Sequence, residues 1–226
     1  MLQPFAEFGA ACHLTRPSLA VSHRRSHVDG ANAFPILKTK GAEGQLRIEG
    51  TPDEHWMWTK PGPSPVLNKA GYLLVTAGQD TSTGRLTAVA SETNYVGHGW
   101  MPITGLTPTA AKGAAVFLNS TVGRLLLLRN PGRKLNFPNY TPATVNSLPI
   151  CDLTDQRICS TLAACWEATR DIVVPQYRDG ECEVREFWDA AVCEALGWDE
   201  AEIAALRKLL HQEPHVRGLG YNQYRD

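Results

Sequence analysis

Small and apolar residues recur over residues 109–130 with few residues that would break a helix, and Pro108 stands directly before them. The pattern predicts a helix that ends at Pro131-Gly132. Small and polar residues interrupt the middle of this stretch, and they are Asn119, Ser120, Thr121 and Gly123. Such a face allows another backbone to approach closely, and its glycine costs about 1 kcal/mol relative to alanine unless packing requires it.

The chain before this helix has the turn residues and short apolar runs of a β region. Residues 45–49, 71–77 and 85–91 predict strands, and we expect the last two to pair across a polar loop with glycine at each end. Residues 94–100 (NYVGHGW) predict a mobile segment whose side chains can hydrogen-bond or stack. Short strands and long polar loops suit a domain that varies its loops for recognition.

Three apolar stripes at helical spacing follow Pro149, over residues 158–169, 184–196 and 203–210. Asp152 or Thr154 is the predicted cap of the first helix, Gly197 ends the second, and Asp199 caps the third. Helices this short cannot bury all their apolar faces alone. We therefore expect them to pack on the preceding region, on one another or on a partner chain.

The net charge of −1 conceals two halves of opposite sign. Residues 1–150 hold 14 Lys and Arg against 8 Asp and Glu, a net of +6, whereas residues 151–226 hold 8 against 15, a net of −7. A basic half suits a polyanionic partner, and an acidic half would be repelled by one. Ordinary variation of surface charge is the alternative explanation.

Composition and cysteine usage indicate a cytoplasmic globular protein. No apolar run is long enough to span a membrane, and the N-terminal residues lack the apolar stretch of a signal peptide. The six cysteines form no Cys-x-x-Cys pair and are expected to be reduced, with Cys159, Cys165 and Cys193 serving as packing groups. His23 and His27 have the spacing of metal ligands on a helix, but no third ligand is suitably placed, so no metal site is predicted.

Several short motifs stand in a characteristic order, and they are Phe117-Leu118-Asn119-Ser120, Gly123-Arg124, Tyr140-Thr141-Pro142, Leu148-Pro149-Ile150 and Leu153-Thr154-Asp155-Gln156. This order resembles the end of a target recognition domain of adenine-N6 DNA methyltransferases and of type I restriction–modification specificity subunits. In that family a helix with a central Asn-Ser precedes a loop, a Leu-Pro-(Ile/Leu)-Pro segment and a helix that begins at Glu/Asp-Gln. Cys151 stands where the second proline is usual, and the resemblance extends from about residue 33 to the C-terminus.

The resemblance implies an α/β (α+β) target recognition domain with short strands and a small-residue helix, followed by an α-helical segment. The expected organisation is an N-terminal connector (1–32), a DNA target recognition domain (33–150) and a helical spacer or docking segment (151–226). The implied function is sequence-specific recognition of double-stranded DNA within a methyltransferase or restriction–modification system. A catalytic methyltransferase domain or subunit would be the partner and would carry S-adenosylmethionine.

No catalytic motif accompanies this recognition pattern. A serine nucleophile elbow, a phosphate-binding loop and a glycine-containing cofactor turn are missing from the sequence. Residues 136–140 (NFPNY) approximate the loop that holds a flipped adenine, but they lack its adjacent prolines. We therefore predict no catalytic residues in this chain.

The candidate DNA contacts are of two kinds. Six side chains suit the neutralisation of phosphate, namely Lys38, Lys40, Lys60, Lys112, Arg133 and Lys134. Seven have planar, amide or aromatic groups that can read base edges, namely Arg85, Asn94, His98, Asn119, Arg124, Asn136 and Tyr140. For each residue taken alone, solvated surface is the simpler explanation, and Asn119 could instead pin its helix from within.

A second hypothesis comes from another class of protein. The acidic C-terminal helices would serve an interaction or regulatory subunit that does not bind DNA. A free-standing nuclease or hydrolase is a third possibility, and no sequence motif supports it.

Overall fold

Ten strands and six α-helices form the part of the chain that the computed structural model describes, which is residues 2–15, 33–38, 47–52, 54–57, 64–78, 82–129, 133–134 and 137–218. The strands are β1 (Gln3–Pro4), β2 (Ala11–Cys12), β3 (Ala33–Lys38), β4 (Glu54–Met57), β5 (Gly71–Thr76), β6 (Ala88–His98), β7 (Trp100–Thr104), β8 (Arg133–Lys134), β9 (Phe137–Pro138) and β10 (Pro149–Ile150). The helices are α1 (Pro108–Asn119), α2 (Thr121–Leu128), α3 (Pro142–Asn146), α4 (Gln156–Thr169), α5 (Glu183–Leu196) and α6 (Glu200–Gln212). The predicted α/β fold followed by helices is confirmed.

A six-stranded mixed sheet, in the order β2-β7-β5-β6-β3-β4, forms one layer of the fold. The predicted pairing of β5 with the following strand is confirmed, although that strand begins at Ala88 rather than at residue 85. β5 also pairs antiparallel with β7, and β3 runs parallel to β6. The predicted strand over residues 45–49 is not confirmed, because its described part contributes only the isolated bridge from Glu49 to Ala90.

The predicted mobile segment over residues 94–100 is wrong. β6 continues to His98, and β7 begins at Trp100. Tyr95 and Val96 are buried, so this part of the strand contributes to the core. Gly99 has φ 79°, a left-handed conformation that glycine adopts without a steric penalty. The glycine therefore marks a tight connection between two strands.

The predicted helix over residues 109–130 is two helices. Ser120 separates them with extended backbone (ψ 165°), and its hydroxyl oxygen accepts a hydrogen bond from the Gly123 N–H at the start of α2. The local sequence favours helix on both sides of this point. The break is held by tertiary hydrogen bonds from its neighbours Asn119 and Thr121 to other elements.

One hydrophobic core joins the sheet to the helices. The C-terminal helices therefore pack on the preceding region, which is one of the arrangements that the sequence predicted. Its cluster extends from Phe5 to Ala195 and includes the fully buried Trp166 and Trp188. The Trp166 indole N–H donates to the Ile48 carbonyl at 3.2 Å, which ties α4 to the residues that bridge β6. β1 pairs with β10. The predicted boundaries after residues 32 and 150 therefore do not separate independent cores in the described residues.

The ends of the C-terminal helices follow the predicted capping chemistry in two cases of three. Gly197 ends α5 with φ 68°, and the Asp199 carboxylate accepts from the Ala201 N–H at the start of α6. α4 is capped by Asp155 instead of by Asp152 or Thr154. No helix among the described residues has both the length and the apolar character needed to cross a membrane.

Gly123 lies where the start of α2 packs tightly against the end of α1. A Cβ atom at this position would lie 2.1 Å from the Phe117 carbonyl oxygen and 2.6 Å from the Leu118 Cα. Both are backbone atoms, which cannot move without displacing a helix. Packing therefore requires a glycine at position 123, although glycine lowers the intrinsic stability of a helix.

We predict that Gly123→Ala lowers the free energy of unfolding by about 1–3 kcal/mol, because the methyl group forces the two helices apart. Gly113→Ala is the matched control, since its Cβ would meet Leu162 Cβ at 3.4 Å, an ordinary contact. The control should be neutral or stabilising by up to about 1 kcal/mol. Urea unfolding of both variants makes the comparison, and equal effects would contradict it.

Candidate nucleic-acid interface

Two candidate DNA contacts meet where β3 and β6 end. Lys38 and His98 are register partners in the parallel pairing of these strands. His98 is exposed and Lys38 is half-buried. The next residue, Gly99, accepts a hydrogen bond at 2.8 Å from the Ala77 N–H, directly beyond the end of β5. The backbone thus brings Lys38 and His98 to the end of β5.

A basic hairpin attaches at the same place. Arg133 and Lys134 form β8, which pairs with β9. The chain that follows is fixed to the end of β5, because the Tyr140 N–H donates to the Ala77 carbonyl at 2.8 Å and Asn139 bridges to Gly78. Asn139 is exposed. This residue was not predicted, and a single exposed asparagine in a loop gives no distinctive sequence signal.

We name this region the basic edge, and it consists of Lys38, His98, Arg133, Lys134 and Asn139. Its residues come from three segments that are far apart in the sequence. Lysine and arginine suit phosphate oxygens, whereas histidine and asparagine can hydrogen-bond base edges. Strand and hairpin elements fit the width of the DNA major groove. Three other candidates, Lys40, Lys60 and Asn136, lie outside the described residues, as do His23 and His27.

Lys112 belongs to a different network, and its assignment as a phosphate contact is corrected. Its ammonium group lies 2.6 Å from Glu92 Oε1 and 2.5 Å from Glu167 Oε1, and 4.7 Å from the centre of the Trp166 ring. Although burial acts to lower the pKa of Lys112, the hydrogen bonds to Glu167 and Glu92 raise it. A phosphate would have to displace two carboxylates from this ammonium group.

Asn119 does not reach the surface, so its assignment as a base-reading residue is also corrected. Only 1% of the residue is exposed. Its amide nitrogen donates to the Ala88 and Ala115 carbonyls, each at 2.7 Å, and its oxygen accepts from the Thr87 N–H at 2.7 Å. These bonds pin the end of α1 to the start of β6, which is the alternative that the sequence left open.

Arg124 and Tyr140 are buried as well, with 2% and 5% of each residue exposed, and neither is placed to read a base. The Arg124 guanidinium stacks on the Tyr177 ring, with Cζ 3.1 Å from the ring centre. Arg185 lies against the same ring at 4.1 Å. Burial lowers the pKa of Arg124. Arg124, Arg185 and Tyr177 thus join α2, α5 and the segment between α4 and α5.

The remaining two candidates are Arg85 and Asn94. Arg85 is half-buried, and its guanidinium donates to the Val174 carbonyl at 2.8 Å, which ties it to the segment that follows α4. Asn94 is exposed in the middle of β6. Of the thirteen candidates, the described structure therefore groups Lys38, His98, Arg133 and Lys134.

The buried carboxylate of Asp189 was not identified from the sequence. Asp189 is 1% exposed and accepts from the Thr121 N–H, the Thr121 hydroxyl and Arg207 Nη1, each at 2.7 Å. It joins α2, α5 and α6. A charged residue within an apolar helical stripe was the only available signal. Within the described residues, no group of three His, Cys, Asp or Glu side chains could hold a metal ion.

Comparison with known proteins gives one distant similarity. No protein-family model matches the chain, and no curated protein matches it. Among solved structures, the chain is similar to the type IIG restriction endonuclease BpuSI, with 13% sequence identity and a TM-score of 0.47. The matched region covers 67% of this chain and 16% of that enzyme, so the chain spans a small part of that enzyme's length.

We predict that Asn119→Ala lowers the free energy of unfolding by about 1–3 kcal/mol, because the Thr87 N–H and the Ala88 carbonyl lose buried partners. Asn94→Ala is the control, since Asn94 is exposed, and its effect should stay within about 0.5 kcal/mol. Urea unfolding measures both variants. Similar small effects of the two substitutions would contradict the pinning role of Asn119.

We also predict that stability falls as the pH drops below about 6.5, the ordinary pKa of histidine. Burial and then the positive charge of Arg185 lower the pKa of His211, with further lowering by Arg207 and Arg124, and Glu181 opposes this shift only in part. The unfolded chain therefore binds this proton more readily than the folded chain does. Urea unfolding between pH 7.5 and pH 5.5 should show a weaker pH dependence in His211→Gln, and an unchanged dependence would contradict the prediction.

Proposed function

We propose that the chain is the sequence-specific, double-stranded DNA recognition portion of an adenine-N6 DNA methyltransferase or restriction–modification system. The observation that carries this proposal is that the backbone brings Lys38, His98 and the β8–β9 hairpin, which carries Arg133 and Lys134, to the end of β5. The motifs from Phe117 to Gln156 support the choice of family by resemblance.

The residue types of the basic edge suit a division of labour on DNA. Lys38, Arg133 and Lys134 would neutralise phosphates and set the register of the protein on the duplex. His98 and Asn139 would present hydrogen-bonding groups to base edges. Three phosphate contacts give a slope of about −2.7 for log affinity against log salt concentration, or roughly a forty-fold loss of affinity between 50 and 200 mM salt.

The distribution of charge favours one orientation on DNA. Residues 1–150 carry a net charge of +6 and residues 151–226 a net charge of −7. A duplex attracts the first region and repels the second, so the C-terminal helices would face away from the DNA. That side remains available to a catalytic methyltransferase domain or subunit, which would bind S-adenosylmethionine and act in the cytoplasm.

A second candidate function is an interaction or regulatory subunit that uses the acidic helices without binding DNA. The observation that favours it is the group of exposed apolar side chains on α5 and just after α4, where Phe187 is 50% exposed and Val173 is 52% exposed. The two functions are compatible within one protein. DNA binding by the purified chain distinguishes a DNA-recognition subunit from a subunit that serves only for interaction.

We predict that the purified chain retains a short sequence motif from a randomised duplex pool at about 50 mM salt and loses most of it at about 200 mM. Arg133→Glu with Lys134→Glu should weaken binding more than about tenfold and reduce the magnitude of the salt slope by about 2, since two phosphate contacts become repulsive. Sequencing of the retained duplexes and titration of the enriched site make the measurement.

The control variant is Lys208→Glu with Arg217→Glu, which changes the net charge by the same amount at two exposed positions of the helical side. It should bind DNA nearly as the unmodified chain does. Equal losses in the two double variants would show that only overall charge matters. Retention of no duplex at low salt would reject DNA recognition by this chain and leave the interaction subunit.

A further inference from the structure

An exposed aromatic side chain lies in the middle of α5. Phe187 is 50% exposed, and Ile172 and Val173, which follow α4, are 45% and 52% exposed. Scattered exposed apolar residues are normal, but a contiguous group of them marks an interaction site. These three side chains line one concave region of the surface, so they form such a group.

Phe187 stands between two concavities that together form a groove along α4 and α5. One has a volume of about 760 Å³ and extends to Trp198, and the other has a volume of about 560 Å³ and extends to Ile172. The α4 wall is formed by small residues at helical spacing, Thr161, Ala164 and Ala168. We name this feature the Phe187 groove.

The shape of the Phe187 groove suits a helix. Its α5 wall is formed by Glu183, Phe187, Ala190 and Glu194, which share one face of α5 over about 16 Å, or three helical turns. Small residues on the opposite wall allow another helix to approach closely, with Phe187 as a ridge between its side chains. Apolar side chains on both sides of that ridge would enter the two concavities.

The charge of the groove selects among occupants. Its lining includes three exposed carboxylates, Glu183, Glu194 and Glu200, and no basic residue. A second copy of the chain docked on the same face would bring these carboxylates against their equivalents. Nucleic acid and anionic lipid surfaces would be repelled. A segment that carries lysine or arginine beside an apolar stripe is complementary in both respects.

We propose that the Phe187 groove binds an amphipathic, lysine- or arginine-flanked helix of a partner protein. The apolar face of that helix packs on Phe187 and Trp198, and its cations pair with Glu183, Glu194 and Glu200. This proposal rests on the groove alone and does not depend on DNA recognition at the basic edge.

The test uses two synthetic peptides of about 18 residues with the same leucine pattern at helical spacing, one with lysine and one with glutamate on the polar face. Their binding to the full chain is measured by fluorescence anisotropy at low salt. The lysine peptide should bind at least about tenfold more tightly than the glutamate peptide, because only its charges complement the rim.

Two variants of the groove test whether peptide binding depends on its apolar and acidic residues or only on the net negative charge of the protein. Phe187→Ser should weaken binding of the lysine peptide at least about tenfold, whereas Leu209→Ser, at a residue that is 62% exposed on α6, should leave it unchanged. Replacement of Glu183, Glu194 and Glu200 by glutamine should weaken binding similarly. The matched control replaces the exposed Glu7, Glu181 and Glu213 by glutamine and should have no effect.

Equal binding of the two peptides, or equal effects of groove and control variants, would overturn the proposal. A concentration-dependent dimer that Phe187→Ser abolishes, measured by sedimentation, would assign the groove to a second copy and would also overturn it. Urea unfolding verifies that each variant folds. If Phe187→Ser does not fold, the variant with glutamine at Glu183, Glu194 and Glu200 tests the groove instead. The Arg133→Glu and Lys134→Glu variant should keep peptide binding, which separates this test from failure of DNA recognition.

Discussion

The hydrogen bonds of the Asn119 amide hold the helical and sheet layers in their relative positions. One side chain ends α1, pins it to the start of β6, and leaves Ser120 free to begin α2 in a new direction. The Asp189 carboxylate then fixes the first residue of α2 to α5 and α6. Both groups are buried and bonded, so removing either one leaves partners without water or protein contacts.

This arrangement explains how one chain can present two chemically different surfaces. The basic edge lies at the end of β5 and includes the β8–β9 hairpin, and the helices carry the acidic Phe187 groove. A large core joins the sheet to α1, α4 and α5, and a smaller cluster of Tyr177, Leu210 and Val216 packs against α2. The proposed DNA contact and the proposed helix contact thus belong to one folded unit whose charges are segregated by position along the chain.

Local sequence patterns predicted the elements whose ends depend on neighbouring residues. The β5–β6 pairing and the ends marked by Gly197 and Asp199 were predicted because turn glycines and capping carboxylates act over a few residues. The break at Ser120 could not be predicted, because it depends on hydrogen bonds from Asn119 to residues about thirty positions away. Small polar residues indicated that something interrupts the helix, but not a change in its direction.

The same distinction separates the candidate residues. Residue type cannot distinguish a solvated arginine from Arg124, which is buried against Tyr177, or a free lysine from Lys112, which is held by two carboxylates. The grouping of Lys38 with His98 and with the hairpin of Arg133 required the strand pairing and the backbone hydrogen bonds at the end of β5, because these segments are distant in sequence. The sequence thus indicated which residue types could contact DNA, and only the fold showed which of them lie close together.

Site-specific cross-linking tests DNA recognition at the basic edge most directly. A photoreactive side chain is placed at Asn139, on the basic edge, or at Lys208, exposed on α6, and each protein is irradiated with duplex DNA at low salt. The account predicts cross-linking from position 139 that falls as salt is raised, and little from position 208. Equal cross-linking from the two positions, or more from position 208, would contradict the assignment of the basic edge as the DNA-contacting surface.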